Sequence, residues 1–389
     1  MSGSFRVPKL FKRLKQDHGL PSFDWTLVQD QTELASGAFG TVYLANYGRG
    51  DEARKIVIKK LKSESLEAKR RFVKEAEMVN DAKHPNISKF FGFSDSPHAI
   101  VMEYEGFCFS PFGVDKLVSN LEDFYHYVDC EYNFEAFADV LHTVTGLEYL
   151  HRRNIAHRDL KPRNILVSNQ HYCNNDLTGL EEDYAKCPIV CKVADFGLSR
   201  SLDAQTQSVL QSRTQDVCRG TPIYMALEIQ TGRLTKATQI DLQLGDMWSL
   251  GILAYATINP NLSSPYRKEA ENFRAVLDGN MMRQFMEQKC LPEHDRKYEV
   301  LQVTEWSQIE EVFDACAKFE PGSRPTAMEI CNVVNLKEPE ASLTIKPLKN
   351  SQNTAVETAD FNFATGLVSA SVYICYTFRS IDAAKKRWN

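Results

Sequence analysis

Residues 157–164 read H-R-D-L-K-P-R-N, and Asp195-Phe196-Gly197 follow downstream. The first stretch sets a carboxylate, Asp159, and an amide, Asn164, five residues apart among the cations Arg158, Lys161 and Arg163. Asp195 adds a second carboxylate. Carboxylate and amide oxygens are the ligands that hard divalent cations prefer, and a carboxylate beside a hydroxyl can take its proton. Positive charge against phosphate oxygens completes what the transfer of a phosphoryl group requires.

Upstream, residues 34–42 read L-A-S-G-A-F-G-T-V between two β-like runs. Gly37 and Gly40 would let the backbone approach phosphate oxygens closely, with Phe39 able to close over them; two glycines would equally serve a hairpin turn. Nineteen residues after Gly40, Ile56-Val57-Ile58-Lys59 alternates as a strand that carries one lysine, with Lys60 turned to solvent. In the helical pattern that follows, Phe72, Glu75, Ala76 and Val79 share one face, so a glutamate points inward with apolar side chains. An inward carboxylate without a cation would cost several kcal/mol, on the order of 3–5, which makes Lys59 its natural partner.

Short β-rich runs surround that one helix from Phe23 to about Ile100. Longer helical periods begin near Leu117 and include Phe137, Val140, Leu141, Val144, Leu147 and Leu150. The expected fold class is therefore α+β, a small β lobe before a large helical lobe. Residues 168–188, acidic and rich in Asn, separate expected strands at 165–167 and 190–193. They read as a surface insertion with no catalytic part.

These segments, in this order, resemble the eukaryotic protein kinase superfamily, and the resemblance runs from about Trp25 to Asn335. It implies a bilobal kinase domain at 25–335, with the N-lobe at about 25–105, the C-lobe at 106–335 and an insertion at 169–188. A basic extension, 1–24, and a tail, 336–389, flank it. ATP and Mg²⁺ are the implied cofactors, and Ser or Thr hydroxyls of protein substrates the implied acceptors. Under the resemblance Asp159 orients the acceptor hydroxyl and takes its proton, Lys161 sits near the transferred phosphate, and Asn164 and Asp195 hold Mg²⁺. Leu34, Ala35, Ser36, Gly37, Ala38, Phe39 and Gly40 cover the phosphates, which Lys59 meets with Glu75 as its partner. Val42, Val57 and Leu166 sandwich the adenine, Met102 guards the back of the pocket, and Glu103, Tyr104 and Glu105 form a hinge whose backbone meets the base edge. His157 is structural, in an apolar column with Val79, Phe90 and Phe196. Asp246 anchors the catalytic loop, and Glu228 with Arg324 fixes the end of the activation segment.

Three positions depart from the pattern: Ala35 for its first glycine, Val57 for alanine, and Leu227 for proline in G-T-P-I-Y-M-A-L-E. They keep open the alternative of a catalytically weak scaffold. Thr221, Lys161 and Pro162 resemble the serine/threonine-specific form and Arg163-Asn164 the tyrosine-specific one. The mixture is similar to the tyrosine-kinase-like group of serine/threonine kinases, with tyrosine or dual specificity as the other alternative. Arg158 is expected to lack a partner until the activation segment carries phosphate, with Thr214 and then Ser212 as the sites.

With 389 residues and a formal net charge of −5, the chain offers no global field for nucleic acid. Its ten cysteines are scattered, without a disulfide framework or C-x-x-C, which fits a reducing, cytoplasmic compartment. The N-terminal residues lack the apolar core of a secretory signal, and Ser2 excludes myristoylation. Val7, Leu10, Phe11 and Leu14 among basic residues could rest on an anionic membrane. The apolar run 361–378 contains Asn362 and precedes Lys385, Lys386 and Arg387, so stable membrane insertion is not expected. Oligomeric state is left open.

Overall fold

A computed structural model describes residues 19–336, apart from 38–39, 51–52, 113–114, 126–138, 202–217, 233, 235–236, 261, 263, 274–276 and 295–305. The N-terminal segment read as a membrane-surface helix, the apolar tail, Ala38, Phe39, Ser212 and Thr214 lie outside the described residues.

Strand alternation divides the apolar residues of the first lobe between two cores. Strands β1 (Val28–Ser36), β2 (Gly40–Tyr47), β3 (Arg54–Leu61), β4 (Phe90–Asp95) and β5 (His98–Glu103) form one antiparallel sheet in the order β1-β2-β3-β5-β4. Ile56 and Ile58 of β3 are buried on one face with Ala45, Ala99 and Val101, beneath Phe23, Trp25, Tyr43, Tyr47 and Phe91. With a side-chain period of two, Val57 and Lys59 must then face the other way, toward helix α1 and the second lobe. Lys60 returns to the outer face, above Tyr43 and Trp25.

Helix α1 (Leu66–Asp81) begins where the Ser65 hydroxyl accepts from Ala68 N–H, with Glu67 in its first turn. Phe72, Glu75, Ala76 and Val79 form its buried face. Strands β6 (Phe107–Cys108) and β7 (Leu117–Val118) pair as a short hairpin after the hinge. Helices α2 (Leu121–Tyr125) and α3 (His142–Arg152), the short strand β8 (Ile155–Ala156), and the pair β9 (Ile165–Ser168) and β10 (Val190–Val193) then build the floor of the cleft. Between β9 and β10 lies α4 (Leu177–Lys186), capped by Asp176. The surface insertion expected here has an interior side: Tyr172, Leu180, Tyr184 and Ile189 are buried in the main core. The period-3.6 spacing of two of those residues was masked by the acidic residues around them.

Strand β11 (Arg200–Ser201) pairs with β8. Beyond it come α5 (Leu227–Gln230), α6 (Gln239–Ile258), α7 (Arg267–Asn272), α8 (Gly279–Glu287), α9 (Trp306–Cys316) and α10 (Ala327–Val333). Helix α6 opens with a reciprocal cap between Thr238 and Asp241 and is buried from Gly245 to Ile258. It is the axis of the helical lobe, which makes the sheet-plus-helices arrangement a bilobal α+β fold. Among the described residues no helix is long and apolar enough to cross a membrane.

Candidate active site

Asp246, fully buried in the middle of α6, fixes the loop that follows β8. Its Oδ2 accepts from His157 N–H at 2.7 Å and its Oδ1 from Arg158 N–H at 2.6 Å, and His151 Nε2 lies 3.0 Å from Oδ2. Arg158 takes φ 71°, a left-handed conformation that costs a residue other than glycine roughly 1–3 kcal/mol and persists only when its surroundings impose it. The two bonds to Asp246 impose it. The His157 ring packs edge-on against Phe196 at 5.6 Å. Its Nδ1 accepts from Asp159 N–H, so Nε2 carries the hydrogen donated to Ala194 O at 2.9 Å. His157 is thus occupied on both nitrogens, and Val79, Phe90 and Phe196 lie in the same core.

Four donors converge on the Asp159 carboxylate. Oδ1 accepts from Thr221 N–H at 3.0 Å and from the Thr221 hydroxyl at 2.8 Å. Oδ2 accepts from Lys161 Nζ at 2.9 Å and Asn164 Nδ2 at 3.1 Å. Lys161 Nζ also donates to Thr221 Oγ1 at 2.7 Å, closing the ring. Gly220 makes the approach possible: its φ is 137°, and a Cβ there would stand 2.8 Å from Arg158 O. Thr221, read in the sequence only as a mark of specificity, is therefore a direct brace of Asp159.

Lys59 Nζ reaches Glu75 Oε1 at 2.6 Å and Asp195 Oδ1 at 2.8 Å. Burial works against the Lys59 ammonium, but the two carboxylates overcome it and hold its pKa above the ordinary lysine value. Burial pushes Glu75 up, with Lys59 opposing. The surrounding protein would raise the Asp195 carboxyl, but that side chain is half exposed, and the charge and hydrogen bond of Lys59 keep it below the usual aspartate value. Asp195 sits at φ 62°, and the 3-10 turn Phe196–Leu198 after it buries Phe196 beside α1. Asn164 directs its amide nitrogen to Asp159, which leaves its carbonyl oxygen; Asp195 uses Oδ1 for Lys59, which leaves Oδ2. Two hard oxygens from Asn164 and Asp195 fit a Mg²⁺ ion.

Val42, Val57, Met102 and Leu166 each keep exposed surface while their strand neighbours Thr41, Ile56, Ile58, Val101, Ile165 and Val167 are buried. They form an uncovered apolar face above and below the cleft. At its edge Glu105 is 1% exposed, and among the described residues no group hydrogen-bonds its backbone N–H or C=O. A buried donor and acceptor left side by side demand an outside partner, and the edge of a purine supplies one. The residues therefore fit a bound nucleotide.

The model of the protein kinase domain matches residues 28–334. This chain belongs to the protein kinase family. It is 29% identical over 239 residues to serine/threonine-protein kinase 4 homolog B of Dictyostelium discoideum, covering 60% of this chain and 17% of that one. Serine/threonine-protein kinase ULK3 of Mus musculus is 29% identical over 244 residues, covering 62% and 43%. Tyrosine-protein kinase ABL2 of Homo sapiens is 25% identical over 304 residues, covering 76% and 20%. The chain spans less than half the length of each of these relatives.

The departures of this chain from the family pattern take ordinary places. Ala35 pairs with Val42 inside the sheet and needs no positive φ. Gly40 is required by the sheet itself, since a Cβ would lie 2.4 Å from Lys60 O, whereas Gly37 faces open space. Lys62 Nζ clasps Ser36 Oγ and Gly37 O below it. Leu34 is half exposed at the mouth of the cleft. Leu227 is buried, and Glu228 beside it forms a two-pronged pair with Arg324 at 2.6 and 2.9 Å.

One expectation is corrected. Arg158 does not wait without a partner: its Nη1 donates to Leu198 O at 3.3 Å, and it has further interactions. Sequence reading also missed Asn86, whose Nδ2 donates to Cys191 O and whose Oδ1 accepts from Thr145, joining the lobes behind the cleft. It missed Asn169, Gln170 and Lys192 as well, which touch the hinge. None has a motif, and the long insertion hides their position relative to residues 104–108.

Proposed function

We propose that this protein is a serine/threonine kinase that transfers the γ-phosphate of ATP to hydroxyls of protein substrates. The observation that carries the reading is the Asp159–Lys161–Thr221–Asn164 ring standing in one cleft with an assembled Lys59–Glu75–Asp195 cluster. In this reading the backbone of Glu105 meets the base edge, the uncovered apolar face holds the ring, and Lys59 steadies the phosphates. Asp159 is held by Thr221 and Asn164 so that it orients the acceptor hydroxyl and takes its proton, and Lys161 faces the oxygens of the transferred group. Mg²⁺ held by Asn164 and Asp195 would offset phosphate charge. The direct ties of Thr221 to both Lys161 and Asp159 favour a short Ser or Thr hydroxyl as the acceptor.

The cysteines among the described residues are free thiols, in keeping with a reducing, cytoplasmic setting. Phosphorylation of Thr214 or Ser212 remains the proposed regulation, now as a competitor for the contacts of Arg158 rather than as its first partner. Purified protein with Mg²⁺-ATP and generic Ser/Thr and Tyr substrates, run beside Asp195→Ala and Asp159→Asn, tests the reading. Phosphate incorporation on Ser or Thr that both substitutions abolish is expected. Near-full activity of Asp159→Asn would remove that residue from the chemistry, and no incorporation by wild type would leave a nucleotide-binding scaffold.

A further inference from the structure

The insertion between β9 and β10 hydrogen-bonds the hinge directly. Asn169 and Gln170 stand at its start, both buried. Gln170 Nε2 donates to Tyr104 O at 3.0 Å. Asn169 accepts from Cys108 N–H at 2.8 Å, donates from Nδ2 to Cys108 O at 2.9 Å, and donates from its backbone N–H to Gly106 O at 3.4 Å. Four hydrogen bonds thus hold one edge of the five residues 104–108.

The edge they hold is the back one. In an extended segment successive peptide groups point to opposite sides, so Tyr104 O turning to Gln170 leaves the adjacent groups of Glu105 turned toward the cleft. Among the described residues those are the groups without a partner. At the other end of the insertion, Lys192 lies opposite Leu166 in the β9–β10 pair, and directly opposed residues share a face of the sheet. From that face Lys192 Nζ meets Glu105 Oε1 at 2.5 Å, with both side chains nearly inaccessible. The insertion is closed on itself: the Tyr172 hydroxyl donates to Pro188 O at 2.5 Å, His171 Nε2 lies 2.8 Å from Cys187 O, and Asn175 Nδ2 donates to Asp183 Oδ2 at 2.8 Å. Its two ends cannot move apart without breaking these ties, so Asn169, Gln170 and Lys192 act on the hinge as one body.

We propose that the 169–188 insertion is a brace that sets the hinge, with Gln170 and Asn169 as positioning residues for the nucleotide base. The inference rests on the kinase reading, because it assigns the base to the free edge of Glu105. The brace holds the N–H and C=O of Glu105 at fixed depth and direction, so its loss lowers affinity for the nucleotide much more than it slows the transfer step, which occurs at Asp159.

The test compares Gln170→Met, which keeps the bulk and removes the donor, with the Gln170→Met/Asn169→Ser double variant. Tyr255→Phe is the control: it removes a partly buried hydrogen bond to Glu293 O in the helical lobe, away from the hinge. Nucleotide affinity is read without turnover, by displacement of a fluorescent ATP analogue, and again as KM for ATP beside kcat. The double variant should bind about tenfold more weakly, with KM raised in proportion and kcat within about threefold of wild type. Tyr255→Phe should lower the melting temperature and leave affinity in place. Unchanged affinity in folded Gln170→Met would overturn the brace, as would equal weakening in Tyr255→Phe. If the double variant does not fold, Gln170→Met alone decides. Wild type that binds the analogue but transfers no phosphate would sink the kinase reading and leave the brace standing; wild type that binds none would sink both.

Discussion

Two buried lysine–glutamate pairs border this cleft, nearly equal in length and different in their access to it. Lys59–Glu75 spans 2.6 Å with side chains 12% and 10% exposed, and a third group, Asp195, opens it to the cleft. Lys192–Glu105 spans 2.5 Å at 5% and 0%, and Glu105 Oε2 has no hydrogen-bond partner of its own among the described residues. Desolvation penalises both pairs heavily. In the proposed reading only the first turns that penalty toward chemistry, because its lysine also meets Asp195, which is half exposed to the cleft. The second can only hold a position. Access, more than residue type or distance, separates the pair proposed for chemistry from the one that holds position.

The largest expected effect breaks the comparison on activity. Lys59→Met and Lys192→Met each leave a buried glutamate unpaired and should cost similar stability, about 3–5 kcal/mol by urea unfolding. At temperatures where both remain folded, Lys59→Met should lower kcat/KM by two or more orders of magnitude beyond Lys192→Met, roughly the scale of a lost transition-state contact. Equal losses would mean that the two pairs do the same work. The Lys192→Met/Glu105→Leu double variant should recover most of the lost stability, since an apolar pair carries no desolvation penalty.

A smaller effect concerns pH, and here the two carboxylates should move in opposite directions. The surrounding protein would raise Asp195, half exposed as it is, but Lys59 holds it below the ordinary aspartate value of 3.8; its contribution to stability is present above that value and lost as pH falls through its folded pKa. Glu105 titrates above the ordinary glutamate value of 4.5, because burial outweighs Lys192. Its contribution is complete below 4.5 and lost as pH rises through its folded pKa. Urea unfolding between about pH 3 and pH 8 should therefore show the gap between wild type and Asp195→Asn closing toward acid. The gap to Glu105→Gln should close toward alkali. Slopes of the same sign would contradict the placement of Asp195 against Lys59 at the open cleft and of Glu105 in the interior.

The smallest expected effect is that of Ala35→Gly. Ala35 is a paired strand residue with an ordinary φ, so glycine there should lower stability by about 0.5–1 kcal/mol while nucleotide affinity rises slightly or stays the same. Calorimetry with an ATP analogue checks this, and a clear loss of affinity would reveal a contact between Ala35 and the nucleotide.

Much of the site was legible because its residues are local in sequence. Asp159, Lys161 and Asn164 lie within six positions, so their order alone restricts where the side chains can go. Lys59 and Glu75 sit on elements whose periods of 2 and 3.6 reveal which face each occupies, and an inward glutamate calls for a cation. The Glu228–Arg324 pair was legible only through family resemblance, being 96 residues apart. The buried side of the insertion was not legible, because its acidic surface obscured Tyr172, Leu180 and Tyr184. Neither was the partner of Arg158, since a backbone carbonyl leaves no mark in a sequence.

The sequence by itself determined the order of strands and helices, the charged groups available for phosphoryl transfer and the face on which Lys59 and Glu75 stand, since periodicity and desolvation act within short segments. Only the tertiary structure decided that Thr221 closes on Asp159, that Asp246 holds the loop beneath it, and that an insertion without a motif grips the hinge. Those contacts join residues 62, 88 and 66 positions apart. Over such separations local periodicity carries no information, and the packing of the two lobes alone determines which groups meet.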